Sequence, residues 1–123
     1  MKVRIHPLKA PVEGEVKAPP SKSYTHRALF IALLAEGRSN VENVLISGDT
    51  KATINAVRKF GGKIKNLKEI IGSHQLKSPP SIYCRRSGTT IRIATAIAAL
   101  TKGPVLLYGD RTLNRRPLSL IHI

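Results

Sequence analysis

The sequence has one cysteine, no tryptophan, no long apolar run and few acidic residues, and each shortage excludes a class of protein. Because Cys84 is alone, the chain cannot form an internal disulfide or a zinc site built from several cysteines. No stretch approaches the roughly 20 apolar residues that span a bilayer. Residues 1–7 also lack the apolar core of a signal peptide. We therefore expect a cytoplasmic protein that does not enter a membrane.

Metal-binding chemistry is not indicated either. The four histidines, His6, His26, His74 and His122, do not show the spacing of metal ligands. His26 lies within a candidate binding motif, where we expect it to pack or to form hydrogen bonds rather than to act in catalysis.

The scarcity of acidic residues makes the chain strongly basic. Lysine and arginine number 21 against 7 aspartate and glutamate residues, which gives a formal net charge of +14. Such an excess attracts anions, so nucleic acid, acidic membrane surfaces and small phosphorylated substrates are all candidate partners. The basic residues are scattered and aromatic residues make up only 4% of the chain, so no stacking platform for single strands is visible. An incomplete chain whose acidic remainder is missing would show the same excess. A small basic nucleic-acid-binding protein stays open as an alternative that rests on charge alone.

Turn residues and apolar periodicity divide the 123 residues into alternating strands and helices. A first helix begins after Ser21 and ends before Gly37, and its nearly all-round apolar surface predicts that it is buried. Two further helices follow residues 47–50 and 87–90 and end at the glycines near positions 61 and 103. The remaining apolar runs predict strands at 3–6, 12–17, 40–46, 63–71, 81–85 and 105–108.

The same order of elements occurs twice. In each copy a serine-rich start precedes an apolar helix that contains an arginine, Arg27 in the first copy and Arg92 in the second. A glycine, a strand and a Gly-Asp pair follow in both copies, the pair being Gly48-Asp49 and then Gly109-Asp110. Two units of one design predict an α/β fold assembled from repeats.

The first candidate binding motif is Ser21-Lys22-Ser23 with Arg27, at the start of the first helix. The first turn of a helix has backbone N–H groups without internal partners, and the helix dipole adds partial positive charge there. Lys22 supplies a point charge, and Arg27 can share a helix face with Ser23. These features predict a pocket for a phosphate or a carboxylate. Ser-Lys-Ser is also an ordinary helix cap with surface charges, and the motif alone does not decide between the two.

Two later segments show related chemistry. Residues 86–92 offer hydroxyl groups at another helix start, where Gly88 would let a ligand approach the backbone. Residues 109–117 carry Arg111, Arg115 and Arg116, which repel one another unless anions or acidic side chains neutralise them. The plain alternatives are a second capped helix and a solvated basic loop.

Taken together, the motifs are far more specific than each is alone. Their order and approximate spacing resemble the EPSP synthase (3-phosphoshikimate 1-carboxyvinyltransferase) family, and the likeness runs from about residue 3 to residue 117. Members of that family are several times longer, so we expect only an N-terminal portion here. The motifs that carry the resemblance are Pro20-Ser21-Lys22-Ser23, His26-Arg27-Ala28, Gly48-Asp49-Thr50, Ser87-Gly88-Thr89-Thr90-Ile91-Arg92, Gly109-Asp110-Arg111 and Arg116-Pro117.

The resemblance implies an α/β fold of two similar domains, each an inside-out α/β barrel built from three βαβαββ units. Residues 1–19 would then be strands that belong with a missing C-terminal domain, and residues 20–117 would form about half of the other domain. Residues 118–123 match the translation of a transposon-end adapter used in sequencing libraries. We therefore hypothesise that the natural sequence stops at Pro117 or Leu118.

The resemblance also implies an activity. The family transfers the enolpyruvyl group of phosphoenolpyruvate to the 5-hydroxyl of shikimate 3-phosphate and releases phosphate, a step of the shikimate pathway to aromatic amino acids. Neither a metal nor an organic cofactor is needed. The catalytic acid and base would lie in the missing part, so we expect the chain alone to be inactive and poorly stable, and the full-length protein to be a monomer.

Motif matching assigns roles to individual residues. The positions that correspond to shikimate 3-phosphate contacts are Lys22, Ser23 and Arg27. The positions that correspond to phosphoenolpyruvate contacts are Lys22, Gly88 and Arg116. The positions expected to support them are Asp49, Thr89 and Arg92.

One position departs from the family pattern, and two other interpretations stay open. Arg86 stands where many members have asparagine, so it could strengthen phosphate binding or block the pocket. The related transferase that acts on UDP-N-acetylglucosamine generally has Lys-Asn where this chain has Lys22-Ser23, and Cys84 does not lie in its cysteine-bearing loop. The other interpretation is a non-catalytic fragment that folds only with a partner.

Overall fold

The computed structural model describes residues 1–118, and from Lys22 onward the chain alternates helices with three-residue strands. No helix among these residues has the length and apolar character needed to cross a membrane. The elements in chain order are α1 (Lys22–Leu34), β1 (Arg38–Asn40), α2 (Gly48–Lys59), β2 (Lys63–Lys65), β3 (Glu69–Ile71), β4 (Ser81–Tyr83), α3 (Gly88–Ala98), β5 (Leu106–Tyr108) and α4 (Arg111–Asn114).

Serine side chains fix the starts of the three long helices. Each serine is the N-cap, and its hydroxyl oxygen accepts a hydrogen bond from the backbone N–H three residues later. A cap of this kind stabilises a helix by about 1 kcal/mol. The predicted helix starts are confirmed. The cap and donor pairs are Ser21 with Tyr24, Ser47 with Thr50, and Ser87 with Thr90.

The strands form two small sheets. β3 is the central strand of one sheet and pairs antiparallel with both β1 and β2. β4 and β5 pair in parallel in the other sheet, and α3 forms the crossover between them. The element order is therefore αβαββ followed by βαβα. It fits one βαβαββ unit without its first strand and a second unit without its last two strands. The predicted mixed α/β class is confirmed, and closure into a barrel stays a prediction.

The first 20 residues do not form the predicted strands at 3–6 and 12–17. They contain no helix or strand, and their apolar side chains are exposed, including Val3 and Val16. An isolated strand leaves its backbone N–H and C=O groups unpaired, so it needs a neighbouring strand to form. Whether residues 1–19 pair with another domain stays a prediction.

Three other local predictions were wrong in detail. The strand expected at 40–46 is β1, at Arg38–Asn40, and Asn43 beyond it has a φ of 53°, which extended chains do not adopt. The run 63–71 is a hairpin rather than one strand, because three residues, 66–68, connect β2 to β3, and the first two of them, Asn66 and Leu67, turn the backbone with positive φ. In the arginine-rich segment after Gly109, where a loop was expected, Arg111–Asn114 form the short helix α4, and Arg115 and Arg116 follow it.

One face of α1 remains exposed, contrary to the predicted all-round burial. Leu29 and Leu33 are buried in the core that α1, α2 and the sheets share. Ile31 and Leu34 are 66% and 47% exposed. Together with residues of α3 such as Ile93 they line an apolar cavity of about 260 Å³, which we call the α1–α3 groove.

The reactivity of the Cys84 thiol tests whether the 123-residue chain folds with this core intact. The thiol is fully buried, and burial raises the pKa of Cys84 to about 11. Because the thiolate is the reactive form, we expect a disulfide reagent at about pH 8 to modify the folded chain roughly 100-fold more slowly than the denatured chain. Glutathione at the same pH reports the reagent's intrinsic rate. Equally fast modification without denaturant would show that the core is not maintained.

Candidate anion-binding site

An ion pair joins the starts of α1 and α2. Lys22 is the first residue of α1, and its Nζ donates to Asp49 Oδ2 at 2.9 Å. Asp49 lies in the first turn of α2, where the helix dipole stabilises negative charge. The Lys22 side chain is 52% exposed, so the pair contributes at most about 1 kcal/mol. A phosphate group can therefore compete with Asp49 for Lys22.

Ser23 and Arg27 of the first motif lie four residues apart, on one face of α1. Arg27 Nε donates to the Ser23 carbonyl at 3.2 Å, which folds the arginine back towards the helix start. The Arg27 guanidinium carbon lies 5.0 Å from the centre of the Tyr24 ring, within the range of a cation–π contact. Ser23 and Arg27 are both exposed. Lys22, Ser23 and Arg27 thus lie within the first two turns of α1 and are exposed, and their joint contact with one ligand stays a prediction.

Gly88 and Arg92 form the start of α3. A Cβ atom on Gly88 would lie 2.8 Å from Arg92 Nη1, and that nitrogen donates to the Gly88 carbonyl at 3.3 Å. The glycine therefore allows Arg92 to fold back over the helix start. Arg92 also donates from Nε to the Leu118 carbonyl at 3.1 Å and from Nη2 to the Pro117 carbonyl at 3.3 Å. It connects the segment after α4 to α3.

Asp110 connects Arg86 to α4. One carboxylate oxygen accepts from the Leu113 N–H at 2.9 Å as the cap of α4, and the other accepts from Arg86 Nε at 2.6 Å. The Leu113 N–H, and after it the Arg86 guanidinium, hold the pKa of Asp110 below its ordinary value. Asp110 is thus an acidic side chain that offsets part of the positive charge predicted for this segment.

The start of α2, the loop before α3 and Asp110 meet at one cavity. It measures about 340 Å³ and lies between the start of α2 and the loop before α3. Asp49 contributes to this cavity as well as to the pair with Lys22, so the two predicted sites adjoin. The residues that line it are Gly48, Asp49, Tyr83, Arg85, Arg86 and Asp110.

Arg116 is less closely associated with the other predicted residues. Its side chain is exposed, and its backbone N–H donates to the Leu113 carbonyl at 3.0 Å. Within the described chain, no hydrogen bond or ion pair joins Arg116 to Lys22 or Gly88. Thr89 is likewise exposed, at the second residue of α3. The grouping of Arg116 with Lys22 and Gly88 stays a prediction.

A buried hydrogen-bond chain beneath the site was not predicted from the sequence. It runs from His26 through Thr53 and Thr90 to Ser87. The expectation that His26 forms hydrogen bonds is confirmed. Burial lowers the pKa of His26; the Asp49 carboxylate opposes this effect and the Lys22 ammonium adds to it. The available signal was that Thr53 and Thr90 stand among the apolar residues of their helices, where a hydroxyl needs a partner.

Known proteins share both this fold and these sequences. A solved EPSP synthase from Acinetobacter baumannii matches with a TM-score of 0.74 and 33% identity, over 85% of this chain and 26% of that one. The match defines the described residues as a partial α/β domain of an enolpyruvyl transferase. A 3-phosphoshikimate 1-carboxyvinyltransferase from Aeropyrum pernix is 52% identical over 95% of this chain and 27% of its own length. The corresponding protein from Thermococcus kodakarensis is 50% identical over 87% of this chain and 26% of its own length.

The sequence model of EPSP synthase (3-phosphoshikimate 1-carboxyvinyltransferase) matches residues 8–122. The chain belongs to the EPSP synthase family, and it spans about a quarter of the length of the curated relatives it matches. The predicted family is confirmed.

The low pKa of His26 gives a pH-dependent stability. The fold favours neutral His26, whose ordinary pKa is 6.5, so below that pH the unfolded chain binds more protons. The contribution is fully present above about pH 6.5 and is lost as the pH falls towards the pKa in the folded state. We expect the free energy of unfolding to decrease by up to about 1.4 kcal/mol per pH unit in this range.

Urea unfolding of the wild type at several pH values measures this slope, with two variants for comparison. His26→Gln should lose the contribution of this residue. His74→Gln, at an exposed histidine, should keep it. Equal slopes for the wild type and His26→Gln would contradict the prediction.

Proposed function

We propose that the chain is the N-terminal part of an enzyme that transfers the enolpyruvyl group of phosphoenolpyruvate to the 5-hydroxyl of shikimate 3-phosphate. The observation that carries the proposal, in a chain of this family, is the position of Asp49. It pairs with Lys22 at the start of α1 and lines a cavity together with Arg86, just before α3. Both substrates are polyanions, which agrees with the formal net charge of +14. The reaction is a step of the shikimate pathway.

The chemistry requires binding and positioning from this part of the enzyme. The 5-hydroxyl adds to the central carbon of phosphoenolpyruvate while the neighbouring methylene gains a proton. The tetrahedral intermediate then loses phosphate and a methyl proton, which restores the double bond. We place the acid and base of these steps in the rest of the longer protein. The described residues would contribute orientation and cationic stabilisation of the phosphate groups, without a metal or an organic cofactor.

Shikimate 3-phosphate would bind at the start of α1. Lys22 and Arg27 supply positive charges within the first two turns of α1, and Ser23 supplies a hydroxyl. The first-turn N–H groups that the Ser21 cap leaves free point out of the same helix end. This combination suits a phosphate, which accepts several hydrogen bonds at once.

Phosphoenolpyruvate would bind between the starts of α1 and α3. Gly88 would admit it to the backbone, Lys22 would contact both substrates, and Arg116 would add a charge from beyond α4. Three residues would support these contacts. Asp49 would hold Lys22, and Thr89 lies beside Gly88. Arg92 would hold the segment that carries Arg116.

The chain alone would lack activity. The exposed α1–α3 groove shows that the apolar surface of the two helices is not fully covered by the described residues. We propose that further repeats of the longer protein cover it, and that the complete enzyme is a cytoplasmic monomer that acts on small anions rather than on nucleic acid. The adapter hypothesis for residues 118–123 falls almost entirely outside the described residues, although the family match continues to residue 122.

Substitution of Lys22 tests the substrate assignment. Because a hydrogen bond to a charged group contributes about 1.5–3 kcal/mol, we expect Lys22→Ala to weaken shikimate 3-phosphate binding by roughly 10-fold or more. Calorimetric titration of the 123-residue chain measures it. Lys51→Ala removes the same charge from an exposed position in α2 and should weaken binding far less.

Two competitor ligands separate the alternatives. UDP-N-acetylglucosamine should not displace shikimate 3-phosphate, whereas the related transferase would prefer the UDP-sugar. Duplex DNA at roughly physiological ionic strength should bind weakly if at all, whereas a nucleic-acid-binding protein would show tight, strongly salt-dependent binding. Equal effects of Lys22→Ala and Lys51→Ala would mean that Lys22 has no specific contact with the substrate.

Activity of the 123-residue chain is a separate test. We expect no release of phosphate from phosphoenolpyruvate and shikimate 3-phosphate, because the acid and base lie outside the chain. A phosphate assay at high protein concentration measures it, with a full-length family member as the positive control. Turnover that Lys22→Ala abolishes would show that the chain is a complete catalyst.

A further inference from the structure

Four buried side chains form a continuous hydrogen-bond chain from α1 through α2 to the start of α3. His26 Nδ1 lies 2.6 Å from Thr53 Oγ1, and Thr53 Oγ1 lies 2.7 Å from Thr90 Oγ1. Thr90 Oγ1 lies 2.7 Å from Ser87 Oγ. The four residues are at most 2% exposed, so a polar group among them that lacks a hydrogen-bond partner is costly.

The Thr90–Ser87 contact indicates the direction of this hydrogen-bond chain. Thr90 Oγ1 donates to Ser87 Oγ, and its alternative partner, the Asp49 carbonyl at 3.5 Å, can only accept. Thr90 therefore has no proton left for Thr53 and must accept the proton of the Thr53 hydroxyl. Thr53 in turn has no proton left for His26, so His26 Nδ1 carries a hydrogen and donates it to Thr53.

At the Ser87 end of the hydrogen-bond chain, one hydroxyl hydrogen has no acceptor in the described part of the protein. Ser87 Oγ accepts from the Thr90 hydroxyl and also from the Thr90 N–H at 3.1 Å, where it caps α3. Both lone pairs of this oxygen are then in use. The hydrogen of the Ser87 hydroxyl is a buried donor with no acceptor recorded among the described residues, and a bound anion would satisfy it. Gly88 follows directly, at a helix start that carries free N–H groups and partial positive charge.

At the His26 end of the hydrogen-bond chain, the surroundings favour the neutral imidazole ring. His26 Nε2 is buried and has no hydrogen-bond partner among the described residues. A second hydrogen on this atom would be a buried donor without an acceptor, which is costly. Burial lowers the pKa of His26, which agrees with this geometry. Of the two charges that act on the ring, the Asp49 carboxylate raises the pKa and the Lys22 ammonium lowers it.

We propose that His26 is a positioning residue: its Nδ1 hydrogen sets the direction of the chain and thereby presents the Ser87 hydroxyl as a donor to a phosphate group bound at the start of α3. The direction of the hydrogen-bond chain is inferred from the Thr90–Ser87 contact, because the Thr53–Thr90 and His26–Thr53 contacts fit either direction. Only the identity of that phosphate as the phosphate of phosphoenolpyruvate rests on the proposed function.

The tautomer of His26 is directly measurable. Long-range proton–nitrogen correlation spectra of the histidine-labelled 123-residue chain distinguish a hydrogen on Nδ1 from one on Nε2 and from the doubly protonated ring. We expect neutral His26 with its hydrogen on Nδ1. A hydrogen on Nε2, or a doubly protonated ring near neutral pH, would overturn the proposal.

Substitutions at Thr53 test whether the chain orients the anion site. Thr53→Val removes the acceptor with little change of shape, so His26 should lose its preference for the Nδ1 tautomer. Inorganic phosphate, followed by the amide signals of Gly88 and Thr89, should bind about three- to tenfold more weakly to this variant. Thr53→Ser keeps the hydroxyl and should restore both properties.

The matched control is Thr95→Val in α3. Thr95 donates to the Ile91 carbonyl at 2.8 Å and lies outside the buried chain, so its loss should change neither the tautomer nor phosphate binding. Equal phosphate affinity in the wild type and Thr53→Val, or equal weakening by Thr95→Val, would overturn the proposal. If Thr53→Val does not fold, the tautomers of the wild type and Thr53→Ser still decide.

The outcomes separate this inference from the proposed function. If the phosphate and tautomer results are as expected but Lys22→Ala leaves shikimate 3-phosphate binding unchanged, the proposed function fails and the inference stands. If phosphate causes no change in the Gly88 and Thr89 signals of the wild type, the inference fails whatever shikimate 3-phosphate does at α1.

Discussion

The hydrogen bond between Thr53 and Thr90, 2.7 Å long and fully buried, determines how the rest of the site is arranged. It joins α2 of the first repeat unit to α3 of the second. Apolar contacts between these helices are not directional and would tolerate sliding, whereas separating the two hydroxyls would leave buried polar groups unpaired, at about 1–3 kcal/mol each. The contact therefore fixes the start of α3 next to Asp49, and with it the cavity that the two units share.

The two repeat units use the same electrostatic arrangement. In each, the aspartate of a Gly-Asp pair contacts a basic residue at the start of the preceding helix: Asp49 contacts Lys22, and Asp110 contacts Arg86. Each aspartate also lies at a helix N-terminus, Asp49 in the first turn of α2 and Asp110 as the cap of α4. The dipole of one helix thus stabilises the carboxylate that holds the cation of another. The repeat therefore duplicates the pairing of an aspartate with a basic residue as well as the order of helices and strands.

Local signals predicted the helices well because capping serines and terminal glycines act within a few residues. Ser21 and Ser87 are caps in the structure, and Gly37 has the positive φ expected just after a helix. The strands were predicted poorly, because pairing depends on residues distant in sequence. β1 lies where β3 can reach it rather than where the apolar run predicts. The charged motifs were recognisable one by one, but Thr53 and Thr90 acquire their importance only when two helices meet.

The pairing of Arg86 with Asp110 corresponds to that of Lys22 with Asp49 in the other repeat unit. As a lone substitution for asparagine, an arginine beside a phosphate pocket could either attract the ligand or fill the space. In this chain its Nε is bound to Asp110, and the same carboxylate caps α4. Its charge is thus partly neutralised at the wall of the cavity, as that of Lys22 is by Asp49. Because both cations are held in exposed pairs of small net stability, a phosphate that bound here, as we propose, would exchange one anionic partner for another and would not meet an unpaired charge. This exchange favours a ligand that accepts several hydrogen bonds at once, as a phosphate does and a single carboxylate oxygen does not.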